Sequence, residues 1–341
     1  MNMKLKTKLT ALLSAILLLF SITACSTNDT ALTTQTTQQN ISTGGGNQAG
    51  TFSPTLTPIS DEYYKAVEGS TPSEKITYTH GDHTKEAIVY LPPDYSESEK
   101  YNVLYIIGGV SADETAFFGE AGSEATLKNI LDNMIKNGDI EPMIAVNPAF
   151  YPSDDIRLGD MSLTAMLEDF EEELRDIIIP TVESKYSTYA EDVTPQGIEA
   201  SRAHRAFSGF SMGGAVAWYT LTQSLDYFYY FAPMAAGSFE DYDNDYEYAV
   251  GSALREELDR LGYKNNEFFI SCAEGTEDVT YEKMELLMER FREEYPDIFI
   301  FTDSDKSQGN ITYKIKDGAK HKYANAYEYL YNSLGAFWGK R

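Results

Sequence analysis

Short apolar runs alternate with longer segments of helical period along most of this chain. Runs rich in β-branched and aromatic residues predict strands at 75–79, 87–91, 103–107, 143–147, 205–209, 229–233, 268–273 and 311–315. Apolar positions spaced three and four apart predict helices at 123–136, 162–185, 212–223, 252–261, 281–295 and 324–338. The run 298–301 reads as an extra strand or a hairpin arm before the last strand. Strands alternating with helices after an opening antiparallel pair predict an α/β fold, its mostly parallel sheet covered on both faces. No self-similarity at a period of about 20 to 50 residues points to a solenoid or propeller.

The first residues break this pattern. Lys4, Lys6 and Lys8 precede an apolar run over 12–22, and Thr23-Ala24-Cys25-Ser26 follows. A basic start, a short apolar stretch and small residues at the end make an export signal, too short for a comfortable membrane span. Cys25 directly after Ile22-Thr23-Ala24 resembles a bacterial lipobox, which implies cleavage after residue 24 and lipid attachment at Cys25. Residues 25–58 then form a tether rich in Thr, Gln, Asn and Gly, with too few apolar residues for a core. Its random-coil span is about 30 Å. Residues 59–341 are long enough for one large domain. The second cysteine, Cys272, sits in an apolar run, and with Cys25 acylated no disulfide forms within the chain.

Charge narrows the partners. The chain carries a net −26, and near −29 once the three N-terminal lysines are removed. So acidic a surface disfavours nucleic acid and anionic lipid or polymer, and suits a neutral polysaccharide or a small ester. Asp241-Tyr242-Asp243-Asn244-Asp245 has the acidic spacing of a calcium loop but lacks its glycine and its last glutamate, and reads as a solvated loop. His80-x-x-His83 has no third ligand nearby in sequence, so no metal is expected. Asn310-Ile311-Thr312 is a glycosylation sequon that a bacterial lipoprotein has little use for.

The chemistry concentrates at Gly209-Phe210-Ser211-Met212-Gly213, with Gly214 after it. This pentapeptide joins a predicted strand to a predicted helix, the context of a nucleophile elbow. A serine on such a turn stands out of the sheet, and the glycines avoid collisions of Cβ with neighbouring elements. A serine hydroxyl needs a base, usually a histidine held by a carboxylate. Four histidines are present. His80 and His83 precede the central sheet, and His204 starts the strand leading into the elbow, at the wrong end. His321, after the last strand, fits the order serine, acid, histidine. The acid is expected after the strand 268–273, in Glu274-Gly275-Thr276-Glu277-Asp278; Asp278 is the first choice, then Glu277 and Glu274, with Asp303 and Asp305 weaker. An oxyanion hole needs two N–H donors: Met212, after the serine, and one from Gly108-Gly109-Val110-Ser111. Phe117-Phe118 and Phe150-Tyr151 follow strands on the edge where α/β sheets bind ligands, placed to stack on a phenolic acyl group or a sugar. Tyr227-Phe228-Tyr229-Tyr230-Phe231 reads equally well as core.

From Tyr101 onward the chain resembles the feruloyl esterase and acetylxylan esterase group of carbohydrate esterases, α/β-hydrolases related to esterase D. The resemblance rests on Lys100-Tyr101-Asn102-Val103-Leu104-Tyr105, on Ile179-Pro180 with Val182-Glu183-Ser184-Lys185-Tyr186, and on His204-Arg205-Ala206 leading to Ser208-Gly209-Phe210-Ser211-Met212-Gly213-Gly214. The turns Gly275-Thr276-Glu277-Asp278 and Gly318-Ala319-Lys320-His321 complete it. It implies Ser211 as nucleophile, Asp278 as acid, His321 as base, and the N–H groups of Val110 and Met212 as the oxyanion hole, with no cofactor. Gly108-Gly109 stands where the group usually has His-Gly, and Ser111-Ala112 where it has a further glycine pair. The oxyanion loop thus lacks the histidine that braces it.

These expectations describe a lipid-anchored serine esterase acting outside the membrane on feruloyl or acetyl groups of xylan. Other readings keep the triad for a siderophore-type ester or small thioester, or make the chain a carbohydrate-binding lipoprotein on an esterase scaffold.

Overall fold

Among the described residues eight strands form one sheet in the order β1-β2-β4-β3-β5-β6-β7-β8. The computed structural model describes residues 56–340, apart from 154, 158–159, 240–248 and 304–305. The export signal, Cys25, nearly all of the tether, the acidic loop 241–245 and Asp305 lie outside the described residues. The strands are β1 (Glu74–His80), β2 (His83–Tyr90), β3 (Asn102–Ile107), β4 (Met143–Pro148), β5 (Arg205–Phe210), β6 (Tyr230–Met234), β7 (Phe269–Gly275) and β8 (Ile311–Lys316). β1 pairs antiparallel with β2 and β2 with β4; every later pairing is parallel. This is the mostly parallel α/β sheet expected from the pattern, in the α/β-hydrolase arrangement that the resemblance implies.

Helices cover both faces, as parallel strands require. On one side lie α1 (Thr126–Lys136) and α8 (Tyr323–Trp338), with Leu131, Tyr329 and Phe337 buried against Ile106, Ala232 and Phe269. On the other lie α2 (Leu163–Glu173), α3 (Ile179–Lys185), α4 (Pro195–Ala200), α5 (Met212–Gln223), α6 (Val250–Leu261) and α7 (Tyr281–Glu294). α5 is buried almost all round and follows directly from β5. No helix among the described residues is long and apolar enough to cross a membrane.

Two expectations need correction. The segment 162–185 is not one helix: a π-helical turn, Leu174–Ile178, separates α2 from α3. Pro180 lacks an N–H and its ring crowds the carbonyl four residues back, and the wider turn absorbs that conflict. The run 298–301 adds only a single parallel bridge, Phe301 to Ile311, and no strand. At the start of the described chain, both backbone groups of Thr57 bond the amide of Asn332 in α8, so ordered structure begins before residue 59.

A buried ion pair fixes the start of β5. Arg205 Nε and Nη2 lie 2.6 and 2.9 Å from the two carboxylate oxygens of Glu183 in α3. Arg205 also donates to Ile198 O, Tyr227 O and Ser201 Oγ. Glu183 accepts further from Tyr105 and Thr188. Both charges are buried, yet their polar atoms find partners, which is the condition under which such a pair is tolerated. The network sits at the opposite end of β5 from Ser211 and sets the strand's position.

Candidate active site

Ser211 lies between β5 and α5 with φ 60 and ψ −121. A non-glycine residue in that region is strained, and surrounding contacts must impose it. Its N–H donates to Met234 O at 3.0 Å, and the N–H of Gly213 donates to Gly108 O at 3.1 Å. The turn is thereby stitched to β6 and to the loop after β3. The tightness explains the glycines: a Cβ on Gly209 would lie 2.1 Å from Gly213 O, and one on Gly213 would lie 2.2 Å from Ile107 O.

Three loops at the C-terminal edge converge on this turn. His321 Nε2 lies 2.7 Å from Ser211 Oγ, and His321 Nδ1 lies 2.7 Å from Asp278 Oδ1. A carboxylate can only accept, so Nδ1 carries the hydrogen and Nε2 is left to accept from the serine hydroxyl. Asp278 is buried while His321 and Ser211 keep some exposure. The Phe210 ring stacks on the imidazole at 4.6 Å and fixes its plane. Glu277, the second choice for the acid, is exposed and pairs with Lys320 at 3.4 Å. Glu274, the third, is buried in β7 and bonds Gly275 N–H and Thr280. Asp303 is exposed, and His204 stacks on Tyr189 at the far end of β5.

The loop after β3 crosses above the serine. A Cβ on Gly109 would lie 3.3 Å from Ser211 Cβ, so the bare backbone is what leaves room over the hydroxyl. No acceptor among the described residues takes the N–H of Val110 or of Met212. Met212 opens α5, where unpaired N–H groups and the helix dipole favour negative charge. Two tyrosines hold this loop. Gly109 N–H donates to Tyr323 Oη at 3.0 Å, and Ser111 N–H to Tyr151 Oη at 3.3 Å. Ser111 needs such support, with φ 64. The Tyr151 hydroxyl also approaches Met212 Sδ at 3.6 Å. Burial raises the pKa of both phenols, keeping them neutral.

The aromatic expectations change accordingly. Phe117, Phe118 and Phe150 are almost fully buried and are core residues, not a stacking surface. Phe117 packs edge-on against Tyr323, Phe118 stacks on Tyr90, and Phe150 packs on Phe170. Tyr151 is at the site but acts on the loop through its hydroxyl. Tyr227, Phe228, Tyr230 and Phe231 are core. Sequence reasoning missed Tyr323, whose only local signal is its place two residues after His321.

The remaining motifs lie elsewhere. His80 and His83 face each other across the β1–β2 hairpin. The ring of His80 bonds Asp169 at 3.0 Å, and Lys85 Nζ lies 2.5 Å from Glu173 Oε2 beside it. Burial lowers the pKa of Lys85 and raises that of Glu173, and each offsets part of the other's shift. Asn310 is buried, and its amide donates to Asn265 O and Ile298 O, so it offers no glycosylation site. Cys272 is buried with its thiol pKa raised by desolvation.

The putative esterase family matches residues 81–334. The chain belongs to that family. The chain is 37% identical over 281 residues, 82% of its length, to endo-1,4-beta-xylanase Y of Acetivibrio thermocellus. It is 32% identical over 161 residues, 45% of its length, to an endo-1,4-beta-xylanase/feruloyl esterase of Xylanibacter ruminicola. It spans only 24% and 20% of those longer proteins. Among solved structures it is similar to a serine-to-alanine mutant of the feruloyl esterase module of Clostridium thermocellum complexed with sinapinate, with TM-score 0.71 and 36% identity over 83% of this chain and 93% of that one. A ferulic acid esterase of Anaeromyces mucronatus shares the fold, with TM-score 0.57 and 22% identity over 84% of this chain and 98% of that one.

Proposed function

We propose that this esterase is a serine hydrolase that releases feruloyl groups from xylan or its fragments. The observation that carries the reading is the hydrogen-bonded line Ser211–His321–Asp278, with both links at 2.7 Å, beneath a glycine loop. The relative captured with sinapinate, a phenolic acid, supports an aromatic acyl group. The neutral xylan backbone suits a chain of net −26.

In this reading Ser211 Oγ attacks the ester carbonyl as His321 Nε2 takes its proton. Asp278 keeps the imidazole in the required tautomer and stabilises its positive charge. The tetrahedral oxyanion accepts from the N–H groups of Met212 and Val110. His321 gives the proton to the sugar oxygen as its bond to the acyl carbon breaks, and a feruloyl-enzyme remains on Ser211. Water, with His321 again as base, releases ferulate. None of these steps calls for a cofactor. The N-terminal signal would direct export and, once it is cleaved, a lipid on Cys25 would hold the enzyme at the outer side of a membrane, with the segment between Cys25 and Thr57 as tether.

Hydrolysis of methyl ferulate and 4-nitrophenyl acetate by the purified chain, beside Ser211→Ala, tests the substrate. Ferulate release that disappears in the variant is expected. Turnover of acetate alone would replace feruloyl by acetyl, and no turnover of either would overturn the esterase reading.

A further inference from the structure

Behind Asp278 lies a second carboxyl group that the triad does not use. Glu274 is the penultimate residue of β7, and its side chain is buried. Its Oε1 accepts from Gly275 N–H at 2.9 Å. Its Oε2 lies 2.9 Å from Thr280 Oγ1, and the same Oγ1 lies 2.8 Å from Asp278 Oδ1. A threonine hydroxyl has one hydrogen and can satisfy only one carboxylate. Asp278 Oδ1 also accepts from Thr280 N–H at 3.0 Å and from His321. Asp278 Oδ2 is buried with no partner among the described residues. Two negative carboxylates here would compete for the single hydroxyl hydrogen of Thr280 in a dry space.

We propose that Glu274 is a neutral carboxylic acid and a positioning residue of the triad. Its proton is donated to Thr280 Oγ1, whose own hydrogen then goes to Asp278 Oδ1. Glu274, Thr280, Asp278, His321 and Ser211 thus form one directed line. The proton-filled side orients Asp278 without adding charge beside the imidazole.

Burial and the neighbouring Asp278 both push the Glu274 pKa well above the usual carboxylate range. The other ionisable groups that bear on it are Tyr329 of α8, Tyr313 of β8, Tyr281 of α7 and Cys272 of its own strand. Each is neutral or, with Asp278, negative, so none favours an ionised Glu274.

The inference rests on the triad reading above, so its test has one arm that does not use activity. Infrared difference spectra of the whole chain against Glu274→Gln at neutral pH should show the carbonyl stretch of a protonated carboxylic acid that the variant lacks. Absence of that band overturns the proposal even if the enzyme turns over ester. In the activity arm, Glu274→Ala and Thr280→Val should lower kcat roughly tenfold with little change in KM, through misorientation of Asp278. Glu274→Gln, which keeps a donor of the same shape, should recover most of that loss. Its acidic limb of kcat/KM against pH should stay in place. A fall of that limb by about half a unit or more would mean that a negative charge had been removed, and Glu274 was ionised.

Discussion

The backbone N–H of Gly109 donates to the hydroxyl of Tyr323 at 3.0 Å, across 214 residues of sequence. That bond holds the loop above Ser211 where the resemblance led one to expect a bracing histidine. A Cβ on Gly108 would lie 2.8 Å from the same hydroxyl, so the phenol occupies space beside Gly108 that a larger residue would need. Gly108-Gly109 and Tyr323 therefore act as a matched set.

Tyr323→Phe should keep the fold, because its ring still packs against Phe210 and Phe117. It should lower kcat by roughly tenfold, less than the loss of a direct oxyanion donor, with KM little changed. Steady-state kinetics beside a thermal melt checks this. An unchanged kcat would mean the loop holds its shape without the phenol.

Gly109→Ala makes the complementary test from the other side of the loop. Nothing prevents folding, since Gly109 does not require a left-handed backbone, but the added methyl would sit 3.3 Å from Ser211 Cβ. Ester hydrolysis should fall by about two orders of magnitude, as misplacement of reacting groups generally causes. A melting temperature within a few degrees of the parent should accompany that loss.

The Arg205–Glu183 pair concerns stability. Glu183→Gln or Arg205→Met leaves a buried charge unpaired and should destabilise by about 3–5 kcal/mol in urea unfolding. Replacing both by apolar residues should recover much of this. Equal losses in the single and double variants would show that the hydrogen bonds to Tyr105, Ser201 and the backbone matter more than the pairing.

Stability should also depend on pH through Glu171, which lies buried in α2 and bonds Ser224 and Thr220. Burial pushes its pKa up to about 7 from an ordinary 4.5, against the pull of Ser224, Arg175 and Thr220. Below the ordinary value both folded and unfolded chains hold the proton, and the contribution is fully present. As pH rises toward 7 the unfolded chain loses the proton first, so about 3 kcal/mol of stability drains away. Glu171→Gln should flatten that slope in denaturant titrations between pH 4.5 and 7. A slope equal to the parent's would assign the pH dependence to other groups.

Much of the architecture was legible because each strand is a short apolar run and each helix keeps its period. The elbow could be read because Gly209 and Gly213 have no room for a Cβ, a constraint that leaves a mark in sequence. His321 followed from the order of elements. Choosing among Asp278, Glu277 and Glu274 was harder, since one loop holds all three and only geometry shows which carboxylate meets the imidazole. Phe117, Phe118 and Phe150 were misread because a loop aromatic beside a cleft looks the same whether it faces the cleft or the sheet. Pro180 marked the break in the long helix, but the surrounding period was continuous enough to hide it. The bond from Gly109 to Tyr323 joins distant loops and left no local pattern.

The most direct test is to trap the intermediate. Rapid acid quenching of the enzyme during turnover of a feruloyl ester, followed by peptide mapping by mass spectrometry, should find the feruloyl mass on the peptide containing Ser211. The same peptide from Ser211→Ala should carry none, and that variant should release no ferulate. A feruloyl adduct on another residue, or ferulate release that persists without Ser211, would contradict the assignment of this serine as the nucleophile.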